Sequence, residues 1–167
     1  LRAVVSRRRP ETWLAHRGSA LGWGLPAAVG AAMADRTRRV LCVQGDGGAL
    51  FGVQALWTAA NQGVPLAVVI ADNGGYEILR AGLEGLTGRA DGDWPGLWLD
   101  RPPIDLVAVC RGYGAHADRI DAPGDLRGAL RELWRRARAG PAVLVVGVHG
   151  ASAPIGGPIG ALGALGQ

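Results

Sequence analysis

Short apolar runs alternate with helical patterns along most of this chain. Val40-Leu41-Cys42-Val43 lies within a run from Arg39 to Gln44, and Leu66 to Ala71 reads Leu-Ala-Val-Val-Ile-Ala. Ala142 to Val148 is a third such run, and Ala115 to Asp118 is a shorter one. Runs of this length with no polar alternation predict strands buried on both faces. Between them, Ala27 to Ala34 is a small-residue helix with Pro26 suited to its first turn. Val53 to Gln62 predicts a helix closed by Gly63, and Tyr76 to Arg80 opens a short one. Asp105 to Arg111 predicts a helix ending at Gly112. Asp125 to Arg138 is amphipathic, with Leu126, Leu130, Leu133 and Trp134 on one face. Gly82 to Pro103, rich in Gly, Asp, Pro and Trp, predicts a loop. The pattern is that of an α/β fold: a three-layer parallel sheet with helices on both faces and right-handed crossovers.

Composition narrows the class. The chain has 167 residues, 49% hydrophobic and 19% charged, which suits one globular domain. Its 18 basic residues are all arginine and the formal net charge is +4. The densest clusters, Arg7-Arg8-Arg9 and Arg135-Arg136 with Arg138, form no sustained basic face with aromatics, so no nucleic-acid partner is expected. The uncharged stretch from Gly47 to Ala71 holds Gln54, Asn61, Gln62 and Pro65, so it reads as a helix and a strand, not as a membrane span. Cys42 and Cys110 both lie in apolar surroundings with no metal spacing, which suggests a reducing, cytoplasmic setting. The chain starts with Leu, which suggests a piece of a longer polypeptide. Residues 1–15 read as an upstream segment, 16–149 as the domain and 150–167 as a mobile tail.

Two strand ends carry unusual chemistry. Gly45-Asp46-Gly47-Gly48 follows the first strand, and Asp72-Asn73-Gly74-Gly75 follows the second, with 24 residues between Gly47 and Asp72. One helix and one crossover strand fill that gap, so the two turns are expected side by side at one sheet edge, where ligands of parallel sheets bind. Glycines let backbone amides approach an anion, and a helix starting after Gly48 would turn its positive end toward it. Asp46 and Asn73 offer hard oxygen ligands of the kind magnesium takes, with phosphate oxygens completing the shell. Either turn alone reads as well as an ordinary Asp/Asn turn; the pair at this spacing is what points to a site.

This spacing resembles the thiamine diphosphate motif, written GDG and then NN some two dozen residues later. Gly22-Trp23-Gly24-Leu25-Pro26-Ala27-Ala28-Val29-Gly30 and Ala55-Leu56-Trp57-Thr58-Ala59-Ala60 resemble flanks of benzoylformate decarboxylase-type enzymes, as do Pro95-Gly96-Leu97, Ile104-Asp105-Leu106 and Gly112-Tyr113-Gly114. The resemblance covers roughly Pro10 to Val148. It implies thiamine diphosphate and Mg²⁺ as cofactors, the metal held by Asp46 and Asn73 side chains and the Gly75 carbonyl. Gly45, Gly47 and Gly48 would face the diphosphate, the family often having Ser in place of Gly48, and Tyr76 and Ile78 would border the cofactor. Leu21 would wedge the cofactor into its bent shape, and the Ser19 carbonyl would face its aminopyrimidine. Ile78 and Leu79 would line the substrate side. Asp72 stands where the motif has its first Asn.

The same resemblance implies a 2-oxoacid substrate, a homo-oligomer and a pyrimidine-binding domain from a partner subunit. That domain supplies the glutamate that activates the cofactor. None of Glu11, Glu77, Glu84 and Glu132 sits in a comparable setting, so no catalytic residue is expected here. The Ala27–Ala34 helix is a candidate for the subunit contact. A 2-oxoacid decarboxylase is the first expectation; an acetolactate synthase-like carboligase, or a non-catalytic or small subunit of a two-chain decarboxylase, are the alternatives. Gly22 to Ala27 also fits G-x-G-x-x-A, but lacks the preceding strand that a dinucleotide site requires. His16 can approach the active site, whereas His116 and His149 read as structural. Trp94 and Trp98 are either a closing loop or a packed anchor.

Overall fold

The computed structural model describes residues 13–14, 18, 20–89 and 93–148. Ser19, His16 and His149, most of the upstream segment and the 150–167 tail lie outside the described residues. The elements are α1 (Gly24–Ala34), β1 (Val40–Gly45), α2 (Asp46–Leu50), α3 (Ala55–Asn61), β2 (Leu66–Asp72), α4 (Glu77–Thr87), α5 (Leu106–Gly112), β3 (His116–Ile120), α6 (Leu126–Arg136) and β4 (Pro141–Gly147).

The four strands form one parallel sheet in the order β1-β2-β4-β3. Every strand pair is thus a crossover, as the alternation of strands and helices predicts. The inner strands carry the apolar load: Leu66, Val68, Ile70, Ala142 and Val145 are fully buried. A side chain of this size gains about 1.5–3 kcal/mol from full burial. Alternate residues of β2 and β4 point to two different cores. Val68, Ile70, Val143 and Val145 join α1, α3 and α5 on one face. Ala67, Ala142 and Leu144 meet Leu133 and Ala137 from α6 and its end on the other. The layers are therefore three, and among the described residues the second face has α6 alone.

Several boundaries depart from the sequence reading. The 82–103 segment is not wholly a loop: α4 runs on to Thr87 through Gly82 and Gly85 and ends at Gly88, whose φ is +69°. Two interior glycines cost about 1 kcal/mol each in a helix, which is why the segment reads as irregular. Glu77 and Arg80 pair one turn apart, and the Thr87 hydroxyl donates to the Leu83 carbonyl at 2.7 Å, which support the helix locally. None of its residues is buried. The helix expected after Gly48 begins at Asp46 instead, lasts five residues and is separated from α3 by turns at 51–54. Asp105 caps α5, its carboxylate accepting from the Ala108 amide at 2.9 Å. In α6, Leu133 is buried while Leu126 and Leu130 remain more than a third exposed.

Candidate functional site

The register of β1 against β2 places Gly45 beside Ala71, so the two strands end level. Asp46 and Asn73 leave adjacent strand ends on the same sheet edge, as the spacing requires. Asp46 is 4% exposed, the one buried charged side chain among the described residues. Its carboxylate joins the turns: Oδ1 accepts from the Gly47 amide at 2.8 Å and Oδ2 from the Gly75 amide at 3.1 Å. Each oxygen keeps a further lone pair for a cation. The Gly75 amide also lies 3.3 Å from Asn73 Oδ1, which brings that amide oxygen into the same turn. Burial holds the Asp46 carboxyl above its usual range; the Asp72 carboxylate nearby adds to this, against the two amides. A carboxylate kept in that state is one a cation would relieve.

Three glycines in these turns have different reasons to be glycine. A Cβ on Gly47 would sit 2.6 Å from the Tyr76 ring, and one on Gly75 would sit 2.7 Å from the Leu97 carbonyl. Gly48 has nothing within 4 Å of a Cβ, so its side of the turn is open to a ligand. Five-residue α2 is too short for a substantial dipole, so any diphosphate contact would rest on individual amides.

The 93–103 segment laces onto the second turn, which the sequence did not reveal. Tyr76 N donates to the Leu97 carbonyl at 2.9 Å, Leu99 N donates to the Gly74 carbonyl at 2.8 Å, and Gly75 bridges Trp98. Trp98 lies between two guanidinium groups, 3.8 Å from Arg80 and 4.7 Å from Arg101. Trp98 is packed here as a loop anchor. Tyr76 meets Phe51 edge-on at 6.4 Å, and Gly22 packs on Phe51, where a Cβ would lie 2.8 Å from that residue's own. This chain of contacts carries the Leu21 turn to the same edge. Leu21, Ile78 and Leu79 are 53%, 74% and 49% exposed, with apolar surface uncovered.

Other residues lie elsewhere. His116 starts β3 at the opposite sheet edge, where its Nε2 lies 2.8 Å from Asp118. Ala28, Val29 and Ala32 of α1 are spent on the core, leaving Pro26, Gly30 and Met33 exposed for any contact. Cys42 and Cys110 are free and buried. Among the described residues no three His, Cys, Asp or Glu side chains cluster as a metal cage. A metal here would need ligand oxygens from what it binds. No helix of the described residues is long and apolar enough to cross a membrane.

Fold and edge geometry together define an open parallel α/β domain in which two glycine turns, joined by the Asp46 carboxylate, stand at neighbouring strand ends. Residues 1–146 match the family described as thiamine pyrophosphate enzyme, C-terminal TPP binding domain, and the chain belongs to that family. It is 41% identical over 129 residues to the benzoylformate decarboxylase of Pseudomonas aeruginosa, covering 76% of this chain and 23% of that protein. Acetolactate synthase isozyme 1 large subunit of Escherichia coli is 29% identical, with 83% and 24% covered. A solved structure, the thiamine diphosphate-dependent 4-hydroxybenzoylformate decarboxylase of Rhodococcus jostii, superposes with a TM-score of 0.70 at 34% identity, covering 80% of this chain and 24% of that one. The chain thus spans about a quarter of the length of these relatives.

Proposed function

We propose that this domain holds the diphosphate of thiamine diphosphate through Mg²⁺, as part of a 2-oxoacid decarboxylase of the benzoylformate decarboxylase kind. The observation that carries the reading is the buried Asp46 carboxylate, which joins the 45–48 and 72–75 turns through the Gly47 and Gly75 amides. Asp46 and Asn73 supply metal oxygens from their side chains and Gly75 from its carbonyl. Gly48, with open space beside it, offers its amide to a phosphate oxygen, and Gly45 and Gly47 let the turn approach. Tyr76, packed on Gly47, fixes the wall between the two turns. Leu21 and Ile78 border the cofactor, with the Ser19 carbonyl upstream, and Ile78 and Leu79 face the substrate.

The donor set fits: one carboxylate, one amide and one carbonyl are hard oxygens, and a diphosphate would complete the shell. When bound, thiamine diphosphate supplies an electron sink for breaking the bond to a 2-oxoacid's carboxyl group. This chain's own residues bind and orient its tail. Among the described residues, Glu77 pairs with Arg80, and Glu132 is held down to about 2 by Arg135 and Arg136, so neither is suited to act as an acid for its head. On this reading the activating carboxyl group comes from a pyrimidine-binding domain of a partner subunit in a homo-oligomer. Exposed Ile78, Leu79, Leu86 and Phe51 are surface such a partner would cover. The isolated chain accordingly binds the cofactor's diphosphate weakly and does not turn substrate over, and detectable 2-oxoacid decarboxylation by it would sink that statement.

Similarity to acetolactate synthases supports a second reading, a carboligase that joins two 2-oxoacids. A 2-oxoacid panel on the full-length enzyme separates the two by product, aldehyde against acetolactate. The site itself is tested by thermal shift. Magnesium with thiamine diphosphate should raise the melting temperature of the wild-type chain and leave Asp46→Ala where it was; an equal rise in both overturns the assignment.

A further inference from the structure

Asp72 puts a second carboxylate into the metal turn, and the fold answers it from two strands away. Arg119, on β3, reaches across β4 to Asp72 at the end of β2, with Nη1 to Oδ2 at 2.6 Å. Its remaining nitrogens hold Asp121: Nε lies 3.0 Å and Nη2 2.8 Å from Oδ1. The strand it must cross is opened by Gly147, where a Cβ would collide with Asp121 and lie 3.2 Å from the Arg119 guanidinium. Asp72 is itself fixed: its Oδ1 accepts from the Gly74 amide at 3.2 Å, and its side chain is 16% exposed. All three guanidinium nitrogens of Arg119 are engaged by carboxylates of the fold, and Asp72 is the one of the two that stands in the 72–75 turn.

We propose that Arg119 is a positioning residue for the diphosphate site, cancelling the Asp72 charge across Gly147 so that the diphosphate can settle beside that turn. The proposal rests on the reading of this edge as a magnesium–diphosphate site. Without Arg119, the turn would carry an unbalanced carboxylate next to Asp46. Such a charge attracts a cation and repels a diphosphate, so the two affinities should move apart. A residue that only stabilised the fold would weaken both together.

The test is Arg119→Met in the 167-residue chain, titrated by thermal shift with magnesium alone and then with thiamine diphosphate at saturating magnesium. Magnesium should bind at least as well as in wild type. Thiamine diphosphate affinity should fall about fivefold, as for one part-exposed charge. Adding Asp72→Asn to the same chain should return it to within about twofold of wild type. Arg119→Gln carries the same expectation should the methionine variant not fold. Parallel weakening of both ligands, unchanged cofactor affinity, or no recovery with Asp72→Asn would each overturn the role given to Arg119. A wild-type chain that shows no response to magnesium and thiamine diphosphate would overturn the underlying site as well.

Discussion

Gly75 and Gly48 look alike in sequence and should behave oppositely. Both lie in the glycine turns read as a diphosphate cradle, yet a Cβ on Gly75 would stand 2.7 Å from the Leu97 carbonyl oxygen while one on Gly48 meets nothing within 4 Å. The obstacle at Gly75 is backbone, so it cannot swing aside as a side chain could. Gly75→Ala must push the 97–99 segment outward by several tenths of an ångström. That strains the two hydrogen bonds that hold it, Tyr76 N to Leu97 O at 2.9 Å and Leu99 N to Gly74 O at 2.8 Å. Overpacking costs about 1–3 kcal/mol, and each weakened bond up to about 1 kcal/mol, giving a loss of about 2–4 kcal/mol. Gly48→Ala in the first turn of α2 should instead be neutral or gain up to about 1 kcal/mol, because alanine loses less backbone entropy. Urea unfolding of the apo chain reads both. A domain of this size moves roughly 3 °C in melting temperature per kcal/mol, so the two variants should differ by about 10 °C. Equal stability of the two, within about 1 kcal/mol, would show that the close approach at Gly75 is not what requires glycine there.

The remaining expectations concern charge, anchoring and thiols. Asp46 is raised above its unfolded value, so the folded apo chain binds the proton more tightly and should lose stability as pH rises from the ordinary aspartate range through the folded value. Magnesium needs the ionised form, so its stabilising effect should grow over that same window and then level off. Asp46→Asn should erase both trends, and a magnesium effect independent of pH in the wild type would contradict the assignment. Arg80→Ala removes the cation stacked 3.8 Å from Trp98; faster proteolysis in the 93–103 segment, with about 1 kcal/mol lost, is expected, and unchanged cleavage would count against the anchor. Burial pushes the Cys42 and Cys110 thiols up to about 11, so neither should react appreciably with a thiol-specific disulfide reagent at neutral pH until the chain unfolds; rapid labelling of the native chain would refute this.

The elements most legible in the sequence were those whose cause is local. β2 and β4 show as unbroken apolar runs because both of their faces are buried, and Asp105 caps α5 within its own turn. The spacing of the two glycine turns predicted their adjacency, since one crossover leaves them on one edge, and the register of Gly45 with Ala71 agrees. The continuation of α4 was obscured by Gly82 and Gly85, whose propensity cost is local while the pairing of Glu77 with Arg80 and the stacking of Arg80 on Trp98 are what favour the helix.

Chain order alone determined the α/β class, through the alternation of apolar runs and helical patterns along the chain, and the two glycine turns, each written in four consecutive residues. Only the tertiary structure decided what surrounds them. Asp72 faces Arg119, 47 residues away, because β4 enters the sheet between their strands and is glycine at the crossing. Trp98 anchors the 72–75 turn, and the Tyr76 ring crowds Gly47, because folding brings those groups within contact distance. Strand order and register set such distances, and neither is encoded in any short stretch of sequence.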